Sequence, residues 1–362
     1  MTMRRMWHFL AWRSGGLIRY NSIWQNVAAL FYVGLARQQF DLAYVRDVLL
    51  FLLFSLAGTA YGYLVNDLGD IELDRRAGKA NVFHRMNRLG AAAVVVVVGG
   101  GMLLCGWPFV RRPGFWPLWM AWWTLTTGYS LPPIRWKERG AWGLAATILA
   151  QQPLPTAMAF AALGHLNTWG AWAFIGYITL RGISSDVGHQ MRDRERDEMA
   201  GATTFAVRHG HAAIARLYGL SLELEVLLLG IVLVVLVVDV PPIHLWNRVV
   251  PIPLNSPLLV AYLALLPFTA GRAWVRLARG EWVDPYDESP AGPPRDRLHL
   301  IHQSFPNVLL PFYLAFWLTV AYWPNVIFLI GLLLLYRMYD PRRWLQTGPG
   351  QRLQAWMKEH GR

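Results

Sequence analysis

Apolar runs separated by short polar stretches fill this chain. They fall at about 22–37, 47–65, 91–109, 114–130, 142–164, 168–185, 217–239, 256–271, 306–322 and 324–337. A helix needs about 20 residues to cross a hydrocarbon core, so the runs predict an all-α, polytopic membrane bundle of nine or ten transmembrane helices. The last run is the least suited to crossing and decides between the two counts. Residues 1–21 carry Arg4, Arg5, Arg13 and Arg19 around a short apolar patch with no small-residue cleavage site after it. They predict a partly amphipathic helix on the cytoplasmic surface rather than a secretory signal. Residues 272–305, with Pro285, Pro290, Pro293 and Pro294, read as the one substantial linker. Residues 22–337 read as a single membrane domain and residues 338–362 as a basic tail.

Charge tests this topology. With the N-terminus inside and the runs alternating, the inside segments hold 28 of the 34 Lys and Arg, the outside segments hold 5, and Arg181 lies within a span. The C-terminal tail is counted inside, as ten crossings require. Such asymmetry is the positive-inside signal, and it accounts for a formal charge of +12 without a nucleic-acid partner. The 362 residues are 55% hydrophobic and 15% charged, with a mean hydropathy of +0.29. Soluble domains carry about 25% charged residues, so the composition excludes a disordered chain, a fibrous repeat and a typical cytosolic enzyme. A lone cysteine, Cys105, excludes a disulfide framework and a Cys-rich zinc site. The expected setting is a bacterial inner membrane, with the inside loops in the cytoplasm.

Two of the inside segments are dense in carboxylates. Asn66, Asp67, Asp70 and Asp74 follow the second run, and Asp186, Asp193 and Asp197 follow the sixth, with His189 four residues before Asp193. Spacings of three, four, seven and eleven put each set on one helical stripe. A stripe of acids repels itself and persists in water or around cations. Oxygen donors without cysteine suit a hard ion, Mg²⁺ first, which commonly bridges a few carboxylates to phosphate oxygens. The alternative is solvated acids balanced by Arg75, Arg76, Arg192, Arg194 and Arg196. A third inside segment, Tyr129 to Gly140, offers the hydroxyls of Tyr129 and Ser130 and the cations Arg135, Lys137 and Arg139 around a Pro132-Pro133 pair. Cations are what a departing diphosphate needs, although plain positive-inside flanking also places arginines there.

Taken together the three segments resemble the UbiA superfamily of intramembrane prenyltransferases. Asn66, Asp67, Asp70 and Asp74 match its N-D-x-x-D-x-x-x-D motif, Asp186, Asp193 and Asp197 its later Asp-rich motif, and Tyr129–Gly140 its Y-S-x-P-P-x-R-x-K-x-R-G loop. Gly201 and Thr204 fit the small residue and threonine downstream. The resemblance implies nine spans around a central cavity, Mg²⁺, and an isoprenyl diphosphate donor. It implies that Asn66, Asp70, Asp74, Asp186, Asp193 and Asp197 hold metal, with Asp67 in support, and that Tyr129, Ser130, Arg135 and Lys137 contact the diphosphate. Lys79 or Arg85 is expected to assist. Asp70, Asp193, Lys137 and Tyr129 are the residues expected to carry catalysis.

The expected reaction is transfer of the prenyl group to an electron-rich acceptor, aromatic or lipid-like, from a cation formed where water is excluded. His189 is a candidate base or a structural partner of the acid stripe. Trp122, Trp123, Trp169, Trp172 and Tyr177 either line the cavity or belong to the interfacial aromatic belt. Two other readings stay open from sequence: a cyclase that ionises the same donor without an external acceptor, and a cation transporter whose acids bind ions.

Overall fold

In the computed structural model, the structure describes residues 20–76, 78–199, 204–245, 248–249, 255–279, 284–285 and 297–336. The N-terminal segment up to residue 19, Gly201 and the basic tail lie outside the described residues, as does the Asp197 side chain.

A π-helical turn, Tyr20–Trp24, runs into α1, Gln25–Ala36. Then come α2, Leu42–Arg76, α3, Arg88–Gly106, and α4, Phe115–Ser130. Helices α5, Ala141–Gln151, and α6, Pro153–Ala162, follow. Next are α7, Trp169–Met199, short α8, Phe205–His209, and α9, His211–Asp239. A two-residue antiparallel pairing of His244–Leu245 with Arg248–Val249 is the only strand structure among the described residues. Helix α10, Ser256–Ala278, a π-helical stretch Leu300–Leu309 running into α11, Leu310–Ala321, and α12, Val326–Leu335, complete the bundle.

Every predicted run contains a helix, and the capping side chains fix where several begin. Asp41 Oδ1 accepts the Tyr44 N–H at 2.8 Å ahead of α2, Asn87 Oδ1 accepts the Gly90 N–H at 2.8 Å ahead of α3, and Thr168 Oγ1 accepts the Ala171 N–H at 3.2 Å ahead of α7. Among the described residues, five segments are long and apolar enough to cross a membrane: Leu42–Arg76, Arg88–Phe109, His211–Asp239, Ser256–Arg276 and Leu300–Ala321. The rest are shorter, interrupted or too charged at one end. The run expected at 142–164 is two helices, because Pro153 has no N–H to donate and its ring displaces the preceding turn. Gln152 sits at the break with φ −119° and ψ −80°. The Ala150 carbonyl just before the break accepts Trp122 Nε1–H at 2.8 Å.

The main core is a continuous apolar cluster drawn from α1–α4, α6, α7, α9 and the C-terminal helices, with smaller clusters around Val187, Ile214 and Tyr218 and around Ala270, Ala273 and Leu298. Apolar residues also cover the outside: Leu104, Val97 and Val238 are each more than 70% exposed. Outward-facing valines and leucines on long apolar helices suit lipid contact, not water, and the chain is an integral, multi-pass membrane protein. Helices α2 and α7 are the longest, at 35 and 31 residues. At 1.5 Å per residue they measure about 52 and 46 Å, longer than a hydrocarbon core of about 30 Å. Their charged C-terminal ends therefore extend past the apolar layer, and these ends carry the two acid motifs.

Candidate active site

A cavity of about 870 Å³ opens between the charged ends of α2 and α7 and runs into the bundle. Asn66, Tyr129, Asp186, His189 and Arg192 line its mouth; Phe51, Phe54, Met102, Trp122, Pro155 and Met158 line its depth. Along α2 the separation from Asn66 to Phe51 is about 22 Å at the helical rise. The volume lies toward the upper end of small-molecule sites, about 300–1,000 Å³.

The first motif divides between two neighbours. Asn66 and Asp70 face the loop after α4: Ser130 Oγ donates to Asn66 Oδ1 at 2.9 Å, and Lys137 Nζ reaches both Asp70 oxygens at 2.5 Å and Asn66 Oδ1 at 3.3 Å. Arg135 adds bonds to Asp70 Oδ1 at 3.4 Å and to the Gly69 carbonyl at 3.2 Å, while its Nε meets Glu138 at 2.7 Å. Its backbone lies at φ 41°, a left-handed conformation disfavoured for an arginine and held here by those bonds. Burial lowers the Lys137 pKa from the usual lysine value, and the adjacent Asp70 opposes that shift. Asp67 and Asp74, both buried, face the loop after α2 instead. There Asn81 Nδ2 donates to Asp74 Oδ2 and to the Asp67 carbonyl, each at 2.8 Å.

Close packing sets this register. A Cβ on Gly69 would lie 2.6 Å from the Ser130 carbonyl oxygen, a backbone atom with no room to turn away. Gly69→Ala is therefore expected to push α2 from the end of α4, cost about 1–3 kcal/mol and separate Lys137 from Asp70. A thermal-unfolding midpoint in detergent equal to that of the parent would contradict this.

The second motif continues α7 without a break as far as its described side chains go. Asp186 Oδ2 is buried without a hydrogen-bond partner at the cavity wall. His189 Nε2 lies 3.5 Å from Asp193 Oδ2 one turn further on, and Arg192 pairs with Asp284, which also accepts the Tyr218 hydroxyl at 2.7 Å. Tyr129 and Thr147 line the same chamber as Asn66 of the first motif and Asp186 of the second. Among the described residues, no group of three or more His, Cys, Asp and Glu side chains is placed to hold a metal ion.

The sequence matches the UbiA prenyltransferase family over residues 27–286. The chain belongs to that family. Solved structures of a UbiA homologue from Archaeoglobus fulgidus share the fold. The form bound to GPP and Mg²⁺ has 19% identity and a TM-score of 0.51, and another structure of a UbiA homologue from that organism has 18% and 0.52; each comparison covers 83% of this chain and 97% of the other. The same homologue has been solved with DMAPP and Mg²⁺, at 19% identity and a TM-score of 0.50. No curated protein sequence matches the chain significantly.

For this UbiA-family member, Asn66, Tyr129, Asp186 and His189 line one end of one chamber, and Ser130, Lys137, Asp70 and Arg135 do not line it but sit behind Asn66: Ser130 and Lys137 bond Asn66, and Lys137 and Arg135 bond Asp70. Lys79 and Arg85 are exposed in the loop after α2 and do not line it. Trp122 lines the chamber, whereas Trp169 and Trp172 are 85% and 57% exposed, as belt residues are. Trp123 bonds the Tyr61 hydroxyl at 2.6 Å, and Tyr177 is buried against Arg181. Sequence reasoning missed Asn81, Gln152, Tyr20 and Gln303. For Gln152 the adjacent Pro153 was a readable signal; for the other three, only contacts distant in sequence mark them.

Proposed function

We propose that this chain is a Mg²⁺-dependent intramembrane prenyltransferase that ionises an isoprenyl diphosphate and passes the prenyl group to an electron-rich acceptor, aromatic or lipid-like, with release of diphosphate. One observation carries the reading: a single chamber joins a polar mouth, lined by Asn66, Tyr129, Asp186, His189 and Arg192 with the Asp70–Lys137 pair bonded behind Asn66, to a largely apolar interior about 22 Å deep by the rise of α2. A diphosphate ester with a long hydrocarbon tail has that shape and polarity. The archaeal homologue's complexes with GPP and DMAPP support it.

The residues fit a hard divalent ion. By donor type Asn66, Asp70, Asp186 and Asp193 offer oxygen alone, and Asp186 keeps an unpartnered oxygen at the chamber wall; no three of the described carboxylates converge, and Mg²⁺ needs only one or two when phosphate oxygens complete its shell. Asp74 and Asp197 belong to the same motifs; Asp74 is bonded to Asn81. Bound there, Mg²⁺ would neutralise charge growing on the leaving diphosphate.

The protein's own groups carry the rest. Lys137 and Arg135 supply hydrogen bonds and positive charge to the diphosphate as the C1–O bond breaks and its electron pair leaves with the oxygen. Ser130 and Tyr129 offer hydroxyls at the same rim. The apolar wall from Phe51 to Met158 seats the tail and keeps water from the allylic cation. The acceptor's π electrons then form the new bond, and its proton departs. His189, at the mouth beside Asp193, is placed to receive that proton.

The rim faces the cytoplasm by the positive-inside asymmetry. Nine crossings are the count we favour, since α12, at ten residues, spans about 15 Å, half a hydrocarbon core; the C-terminal tail then lies outside, and the Lys and Arg still divide 22 inside to 11 outside. The test is purified full chain with MgCl₂, geranyl diphosphate and a panel of phenolic and lipid acceptors. Expected is Mg²⁺-dependent diphosphate release with a prenylated acceptor seen by mass spectrometry. A cyclic hydrocarbon formed without acceptor would replace this reading with the cyclase, and no diphosphate release under any condition would overturn both.

A further inference from the structure

One wall of the chamber, apart from the acid rim, is built from uncharged polar groups. Tyr20 on the π-helical turn before α1 and Gln303 on the π-helical stretch before α11 both line it. Behind them lies Arg181 of α7, 1% exposed. Its five N–H groups are all committed. Nε donates to the Tyr20 hydroxyl at 3.1 Å, Nη1 to the Tyr177 hydroxyl at 3.0 Å and to the His302 carbonyl at 2.5 Å, and Nη2 to Tyr20 at 3.0 Å and to Gln303 Oε1 at 3.3 Å. Glu225 of α9, equally buried, lies 3.8 Å from Nη1 and balances the charge, with His302 Nδ1 at 3.1 Å from the same carboxylate.

This arrangement decides what the wall offers. The Tyr20 oxygen already accepts two guanidinium bonds, so its remaining function toward the cavity is to donate its proton, strengthened by the cation behind it. Gln303 Oε1 accepts from Arg181 and from Asn307 Nδ2 at 2.9 Å, which leaves its NH₂ to donate. Among the described residues, the wall thus presents two neutral donors and no uncommitted positive charge; Arg192, the one lysine or arginine in the chamber's lining, is paired with Asp284 at the mouth. It also lies close to the reacting centre: Arg181 precedes Asp186 by five residues, about 7.5 Å along α7.

We propose that Tyr20 and Gln303 form the acceptor subsite and that it takes a neutral ring bearing a hydroxyl or carbonyl oxygen, a phenol or quinol, rather than an aromatic carboxylate. The proposal rests on the prenyltransferase reading. An oxygen with no formal charge is satisfied by the two donors. A carboxylate placed there would be buried without an available counter-charge, since the only cation among the described groups of that wall is balanced by Glu225, and Asp186 lies nearby.

Hydroquinone and gentisate, the same ring with a carboxylate added, are the probes. Binding of each to the full chain in detergent is followed by tryptophan fluorescence with MgCl₂ and geranyl diphosphate present, and geranyl diphosphate affinity is measured separately. Hydroquinone is expected to bind at least about tenfold more tightly than gentisate. Tyr20→Phe and Gln303→Leu are each expected to weaken hydroquinone by about three- to tenfold while changing geranyl diphosphate affinity less than about twofold. Gentisate binding as tightly as hydroquinone, neither ring binding, or both variants binding hydroquinone as the parent does, overturns the proposal. A parent protein that fails to bind geranyl diphosphate instead overturns the prenyltransferase reading, whatever the ring preference.

Discussion

Lys137→Met and Asp70→Ala are each expected to slow diphosphate release from geranyl diphosphate by about 10²–10³-fold at saturating Mg²⁺, the loss typical of removing one preorganised group that stabilises developing charge. The two side chains form a unit: Lys137 Nζ lies 2.5 Å from both Asp70 oxygens, and each side chain is only 16% exposed. Removing the lysine deletes a cation at the leaving group and leaves Asp70 with Arg135 alone, at 3.4 Å. Removing the aspartate deletes a proposed metal ligand and frees Lys137, so donor binding should survive while the chemical step slows, and kcat and kcat/KM should fall together with KM little changed. The double variant is expected within a few-fold of the slower single one, because groups that act together are not additive. Single-turnover diphosphate release is the measurement. Parent-like release by Asp70→Ala would remove the acid rim from the mechanism.

That site was legible in sequence to a definite depth. Each of the ten apolar runs marked a helix, or two helices at 142–164, and the i, i+3, i+4 and i+7 spacings placed Asn66, Asp67, Asp70 and Asp74 on one side of α2. The spacing did not show that this side is wide enough to meet two different neighbours. Adjacent residues lie about 100° apart around a helix, so the Asp67 carboxylate turns to the Val82 N–H while the Asn66 side chain turns to Ser130 and Lys137. Periodicity gives a residue's face and leaves the neighbour on that face to the tertiary structure. The loop cations were readable because Arg135 and Lys137 come within the same short segment as Ser130. The Tyr20–Arg181–Glu225–His302 constellation was not, since its members come from four elements that follow one another 161, 44 and 77 residues apart along the chain and each looks like an isolated polar residue. Arg181 was visible as a charge inside a span, which signals function or pairing, but its partners were not.

Arg181→Met should destabilise the protein by about 3–5 kcal/mol, the cost of leaving one partner of a buried ion pair unpaired. Arg181 and Glu225 are each 1% exposed, so water cannot screen what remains. The substitution strands Glu225 beside His302 and removes hydrogen bonds from Tyr20, Tyr177, Gln303 and the His302 carbonyl at once. These partners tie α7 to the turn before α1, to α9 and to the stretch before α11, so the acid stripe on α7 should lose its position with them. Glu225→Gln in the same chain removes the stranded charge and is expected to recover a substantial part of the loss, with a coupling energy of about 0.5–3 kcal/mol in the double-mutant cycle. Unfolding midpoints in one detergent across the four proteins measure this. If the single variants instead added independently, Arg181 and Glu225 would be acting separately. The neutral character of the chamber wall would then need another source than their mutual balance.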